Sequence, residues 1–202
     1  MMGTARRPGR AERKEAPMHP LKVALGVVML AATPLVSGRA VGAAGAVAVV
    51  PPACAPGQLA VWIDTQGNGA AGSVYYHLQF TNISVHSCTL TGYPGVSAVN
   101  AAGRRLGRPA SRSVLHPTRR VSLSGAPFAE GGPIGLGATA TAVLRILNVD
   151  NYPAARCGRA TAVGLRVYAP NQSVAKFVSL PLLACTHPTA PFLSVESVQP
   201  QP

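Results

Sequence analysis

The strongest constraint on the fold is a two-residue alternation of apolar and polar side chains. Over residues 74–81, every second side chain is apolar or aromatic, and most of the side chains between them are polar. Successive side chains of a β-strand point to opposite faces, so this period predicts a strand with one buried face. That face carries Val74, Tyr76, Leu78 and Phe80.

Similar alternation recurs along the chain after residue 54, and turns rich in glycine and proline separate the segments. No stretch there keeps a helical period for three turns, and residues 104–137 are the least patterned. The sequence therefore predicts an all-β fold, an antiparallel immunoglobulin-like β-sandwich of about eight to nine strands with two disulfides. Further predicted strands lie at 59–63, 118–124, 138–148, 165–168, 173–180 and 192–198.

The first 46 residues have the order of charged and apolar residues found in a secretory signal peptide. Basic residues precede an apolar run at 23–36, and small residues follow it. This run is shorter than the roughly 20 apolar residues that span a bilayer. We predict an N-terminal extension with a signal peptide at 1–46, a linker at 47–53 and the β-sandwich at 54–200. An uncleaved N-terminal anchor is the alternative, because residues 41–50 are again apolar.

The four cysteines all follow the predicted signal peptide. They are separated by 33, 68 and 27 residues, so no pair has the short spacing of a zinc knuckle or a redox motif. An even number of cysteines in an exported chain predicts two disulfides, for which three pairings are possible. We favour Cys54 with Cys88 and Cys157 with Cys185, because each bridge then joins neighbouring strands. Each would close a loop of about 30 residues and contribute roughly 3 kcal/mol.

Two strings resemble cofactor or catalytic motifs but occur in the wrong structural context. Residues 67–72 fit the glycine pattern of a dinucleotide-binding loop, which requires a helix where this chain has a predicted strand. Residues 173–176 fit a serine–lysine motif, whose two side chains must share one side of a helix. We predict no catalytic residue, no metal ligand and no cofactor. The histidines and carboxylates after the signal segment lack metal-binding spacing: His77, His86, His116, His187, Asp64, Glu130, Asp150 and Glu196.

An arginine cluster is the main candidate for a binding feature. The formal net charge is +12, and the chain after residue 40 has eleven basic and four acidic residues. Six arginines within seventeen residues, with no carboxylate among them, predict contact with an anionic polymer or phospholipid headgroups; the alternative is a solvated loop. No aromatic residue lies between them, so specific nucleic-acid binding is not predicted. The predicted anionic-ligand patch comprises Arg104, Arg105, Arg108, Arg112, Arg119 and Arg120.

The residues that follow Cys54 resemble those of a known family. The most specific match is the pattern Cys-x-Leu-x-Gly-Tyr-Pro-Gly at residues 88–95. Residues 54–198 thereby resemble domain-of-unknown-function family 4232, which occurs in exported and envelope proteins of actinobacteria. The resemblance implies an exported β-sandwich of unassigned activity and supplies no catalytic residue. Further matches lie at 69–72, 78–82 and 136–137.

These features predict a secreted or cell-envelope-associated domain that binds a partner and catalyses no reaction. The predicted location is outside the cell or on the outer side of its envelope, and the signal segment contacts the membrane only transiently. The predicted partner is an anionic envelope polymer or a surface protein. A structural or accessory envelope protein is the alternative function, and a hydrolase is a more distant one.

Overall fold

The computed structural model describes residues 49–129, 132–133 and 135–201. The predicted signal peptide and Glu130 lie outside this part of the chain. The described residues form fourteen strands, 3-10 helices at Pro56–Gln58 and Val149–Asn151, and one short helix, α1 (Ala154–Cys157). The strands are β1 (Leu59–Ile63), β2 (Asn68–Ala70), β3 (Ser73–Asn82), β4 (Cys88–Thr91), β5 (Gly95–Val99), β6 (Ser111–Arg112), β7 (Arg120–Leu123), β8 (Phe128–Ala129), β9 (Gly132–Pro133), β10 (Thr139–Leu147), β11 (Arg159–Tyr168), β12 (Ala175–Cys185), β13 (Leu193–Val195) and β14 (Gln199–Pro200).

The larger sheet contains seven strands. Its path runs β1–β3–β10–β13–β6, with β2 also paired to β3 and β14 paired to β10. These pairings are antiparallel except that between β13 and β6, which is parallel and departs from the predicted antiparallel arrangement. On the predicted buried face of β3, Leu78 and Phe80 are fully buried, whereas Val74 and Tyr76 are half-buried.

The opposite face of β3 is more buried than its polar side chains suggest. Gln79 is 7% exposed and Thr81 is 2% exposed. The indole N–H of Trp62 donates to the Thr81 hydroxyl at 3.0 Å, and that hydroxyl lies 2.9 Å from the hydroxyl of Thr139. Side chains on the neighbouring strands β1 and β10 thus contact this face, and a pattern along one strand does not reveal them.

The smaller sheet contains β12, β11 and β5 in that order, all antiparallel. Its register shifts between Ala162 and Gly164, where β11 is irregular. A Cβ atom at Gly164 would come within 2.5 Å of the Val178 carbonyl oxygen, so this close approach requires glycine. Two separate ribbons pair β4 with β7 and β8 with β9.

Both sheets contribute to one hydrophobic core. Phe80 and Leu144 from the larger sheet, Val96 and Leu165 from the smaller one, and Leu123 of β7 are each at most 1% exposed and belong to one cluster. Burial of such side chains is the main favourable term in folding. The predicted all-β class is confirmed, and eight of the described strands have four or more residues. The immunoglobulin-like strand arrangement stays a prediction.

Two disulfides are present with the favoured pairing. Cys54–Cys88 joins the segment before β1 to the start of β4, and Cys157–Cys185 joins the end of α1 to the end of β12. All four cysteines are buried. Because disulfides persist in oxidising compartments, these bridges indicate an environment unlike the reducing cytosol. Within the described part of the chain, no helix has the length and hydropathy needed to cross a membrane.

Candidate anion-binding groove

The Gly-Tyr-Pro-Gly segment forms the turn between β4 and β5. Gly92 has a φ of +106°, a backbone conformation that favours glycine. Its carbonyl oxygen accepts a hydrogen bond of 2.9 Å from the backbone N–H of Val198. Pro94 is buried, whereas Tyr93 is half-buried. The turn is therefore anchored on its inner side and presents the Tyr93 ring at the surface.

A cavity of about 530 Å³ lies beside this turn. The guanidinium carbon of Arg112 on β6 lies 5.5 Å from the centroid of the Tyr93 ring, within the range of a cation–π interaction. Tyr168, at the end of β11, supplies a second aromatic ring to the lining. The side chains that line the cavity and carry polar groups are Tyr93, Arg112, Thr118, Tyr168, Asn171 and Gln172.

A second cavity, of about 310 Å³, adjoins the first because Asn171 and Gln172 line both. Arg120 lines this second cavity and pairs with Thr91 in the β4–β7 register. The Asn171 amide donates to the Thr91 carbonyl oxygen at 3.1 Å, and the Gln172 amide donates to that of Cys54 at 2.8 Å. These two hydrogen bonds hold the turn that both cavities share. We call the two cavities together the cationic groove.

The two arginines of the cationic groove, Arg112 and Arg120, have no carboxylate partner among the residues that the structure describes. The described lining of both cavities contains no Asp, Glu or His side chain. Both guanidinium groups can therefore donate hydrogen bonds to a bound anion. Their planar fork of N–H groups matches the oxygens of carboxylates and phosphates.

The six arginines of the predicted patch are all exposed but lie on different elements. Arg104 and Arg105 follow β5, and Arg105 pairs with Val99, which is the end of β5 farther from Tyr93. The length of β5 therefore separates Arg104 and Arg105 from the turn that carries Tyr93. The others are Arg108 in the connection to β6, Arg112 and Arg120 in the cationic groove, and Arg119 next to Arg120 in the chain.

The histidines and carboxylates of the described residues take part in two ion pairs and form no metal-binding cluster. Within the described residues, no three or more His, Cys, Asp and Glu side chains lie close enough together to hold an ion. Residues 67–72 form β2 and the turn into β3, and residues 173–176 lead into β12, so neither string has the helix that its motif requires. The two ion pairs found there are His116 Nδ1 with Glu196 Oε2 at 2.6 Å and Arg159 with Asp150 at 3.0 Å.

A larger cavity, of about 570 Å³, lies between the start of β3, the end of β10 and β12. Its walls are mainly apolar, with Val74, Tyr76, Ile146, Leu180 and Leu182 among them. Among the described residues, no charged side chain lines it. This cavity therefore offers mainly apolar contact, without the arginines that distinguish the groove.

Sequence reasoning identified the groove arginines as part of the patch but missed the rest of the groove. Tyr168 reaches it from the end of β11, and Asn171 and Gln172 reach it from the connection between β11 and β12, far along the chain from Tyr93. The only sequence signal in that region is the Ala-Pro-Asn turn at 169–171. The sequence pattern of a turn does not indicate which other loop will lie next to that turn in the fold.

These features define a class of protein: an all-β, disulfide-bonded domain with a cationic groove beside the β4–β5 turn. The family model described as Domain of unknown function (DUF4232) matches residues 54–199, which is well over half of the chain and includes the groove. The chain belongs to this family, as its Cys-x-Leu-x-Gly-Tyr-Pro-Gly segment predicts. Comparison with curated proteins and with solved structures gives no match.

Proposed function

We propose that the protein is an exported, non-catalytic binding module that holds anionic groups of a cell-envelope component in the cationic groove. The observation that supports this most directly is the placement of Arg112 over Tyr93, with Arg120 in the adjoining cavity and no carboxylate among the described residues of either lining. A guanidinium that is positioned by an aromatic ring loses less conformational freedom when it binds an anion.

The other groove side chains suit a ligand that carries hydroxyl groups as well as charges. Tyr93, Tyr168 and Thr118 supply hydroxyl groups, which both donate and accept hydrogen bonds. A groove of this composition can bind a negatively charged group through arginine and neighbouring hydroxyl groups through tyrosine and threonine. Its described lining has no imidazole or carboxylate, the side chains that most often act as general bases, and we therefore propose binding as the activity.

Export is supported by two independent features, the N-terminal order of basic, apolar and small residues and the two disulfides. We expect the exported protein to begin between residues 40 and 54 and to carry no free thiol. Intact mass spectrometry should show loss of the N-terminal segment, and reduction should add the mass of four hydrogen atoms. A full-length, cytoplasmic protein with four free thiols would contradict export.

The groove is tested by comparing dextran sulfate with uncharged dextran, because the two polymers share a backbone and differ in charge. We expect the protein to bind dextran sulfate only, and added salt to weaken the binding. The double variant Arg112→Gln/Arg120→Gln should bind dextran sulfate at least about tenfold more weakly, because it loses two charge-assisted hydrogen-bond donors. Isothermal titration calorimetry measures both changes.

The matched control is Arg104→Gln/Arg105→Gln, which removes the same charge from the other end of β5. It should lower the affinity for dextran sulfate by less than about threefold, through the change in net charge alone. Equal losses in the two double variants would show that net charge, and not the groove, governs binding. Failure of the unmodified protein to bind dextran sulfate would favour a structural role in the envelope instead.

A further inference from the structure

We infer that the anionic partner is a phospholipid bilayer and that residues 113–117, here called the tip loop, insert into its surface. This inference rests on the proposed function, because it uses the same groove arginines. The tip loop leaves the cationic groove at Arg112 and returns to it at Thr118, and both of these residues line the larger of the two groove cavities. The tip loop therefore lies at the edge of the groove.

The tip loop exposes two adjacent aliphatic side chains. Val114 is 85% exposed and Leu115 is 77% exposed, and both stand among the most exposed large hydrophobic side chains of the described residues. Single exposed apolar residues are common on protein surfaces, but two adjacent side chains that are this exposed contribute little to the core, although Leu115 borders a small cavity beside Glu196. In the interface of a bilayer, such a pair gains free energy by leaving water.

The protein holds this apolar pair outward by polar contacts on both sides. Before it, the backbone N–H of Ser113 donates to the Val195 carbonyl oxygen at 2.8 Å. After it, His116 Nδ1 lies 2.6 Å from the Glu196 carboxylate, and the Pro117 carbonyl oxygen accepts a hydrogen bond of 3.2 Å from the Gln199 amide. The loop is thus anchored at its ends, so the aliphatic side chains remain outside the core.

The charges around the tip loop complement an anionic membrane. Arg112 precedes it, Arg119 and Arg120 follow it, and all three are exposed. Among the described residues, the carboxylate that contacts the loop is that of Glu196, which is 7% exposed and paired with His116, so it is turned away from solvent. Arginine near a membrane surface contributes about 1 kcal/mol through attraction to anionic lipids. A bilayer fits better than a protein partner, because two side chains are far smaller than the roughly 1,200 Å² of a stable protein interface.

The inference is tested with the protein in its exported form and with lipid vesicles. We expect it to co-sediment with vesicles of phosphatidylglycerol and phosphatidylcholine, and far less with phosphatidylcholine alone. Val114→Ser/Leu115→Ser should lower the partition coefficient at least about tenfold, because the apolar contribution is lost. The control Leu136→Ser/Val174→Ser changes two exposed aliphatic side chains outside the tip loop and should bind as the unmodified protein does.

Binding of dextran sulfate separates this inference from the proposed function. Val114→Ser/Leu115→Ser keeps every arginine, so its affinity for dextran sulfate should be unchanged while its binding to the vesicles falls. If the unmodified protein binds dextran sulfate but not anionic vesicles, or if the serine variant binds both normally, the membrane inference is overturned and the groove function stands. If the protein binds neither dextran sulfate nor vesicles, both proposals fail.

Discussion

Removal of either disulfide by paired alanine substitution should lower the free energy of unfolding by about 3 kcal/mol. The two bridges close loops with sequence separations of 34 and 28, so chain entropy predicts nearly equal effects for the two pairs. Removal of both should lower the free energy of unfolding by roughly 6 kcal/mol, a large part of the roughly 5–15 kcal/mol typical of a domain. The variants are Cys54→Ala/Cys88→Ala, Cys157→Ala/Cys185→Ala and their combination.

Urea unfolding followed by circular dichroism measures these losses. With a slope of about 2 kcal/mol per molar urea, each pair should lower the midpoint by about 1.5 M. The unmodified protein in a strong thiol reductant should match the quadruple variant, and the quadruple variant itself should not respond to reductant. An unfolding midpoint that reductant leaves unchanged would show that the bridges do not form or do not stabilise the fold.

The pairing of Cys157 with Cys185 could be predicted because the two cysteines lie at the ends of strands that are consecutive in the sequence. Cys157 lies just before β11 and Cys185 ends β12, and these strands form an antiparallel pair in which Arg159 faces Cys185. A short connection between two alternating segments favours such a pair. The strand pattern at residues 74–81 succeeded for the same reason, since burial of Leu78 and Phe80 follows from the local period.

Long-range contacts between loops could not be predicted in this way. Glu196 and His116 are 80 residues apart, and neither has a short-spaced histidine or carboxylate partner in the sequence. The parallel pairing of β6 with β13 brings these two regions together, and no alternation pattern specifies which short strands will pair. The cationic groove has the same origin, because Arg112, Tyr93 and Tyr168 come from three separate elements.

A buried asparagine at the end of β3 is another long-range feature that local patterns do not predict. Asn82 is 0% exposed. Its amide nitrogen donates to the carbonyl oxygens of His86, Leu123 and Ser124 at 2.8, 3.3 and 3.2 Å. Its amide oxygen accepts hydrogen bonds from the backbone N–H and the hydroxyl of Ser84 at 2.9 and 2.8 Å. One side chain thus supports the β3–β4 connection and ties it to the end of β7.

Replacement of Asn82 should destabilise the protein by about 3 kcal/mol or more, because it leaves several buried polar groups without partners. Asn82→Ala removes both the donor and the acceptor. Asn82→Asp keeps the size and the acceptor but places a carboxyl group against three carbonyl oxygens, so at neutral pH we expect it to be at least as destabilising as alanine. Urea unfolding at pH 7 gives both values.

The comparison of these two variants separates hydrogen bonding from packing. If Asn82 mainly filled space, aspartate would preserve stability and only alanine would cost free energy. If its donated hydrogen bonds matter, the isosteric aspartate should lower the free energy of unfolding at least as much as alanine does. Asn151→Ala is the control, because this exposed asparagine donates one hydrogen bond of 3.0 Å to the Gly72 carbonyl oxygen and should cost about 1 kcal/mol or less. A stable Asn82→Asp protein would refute the role given to the amide donor, since this change removes the donor and keeps the shape of the side chain.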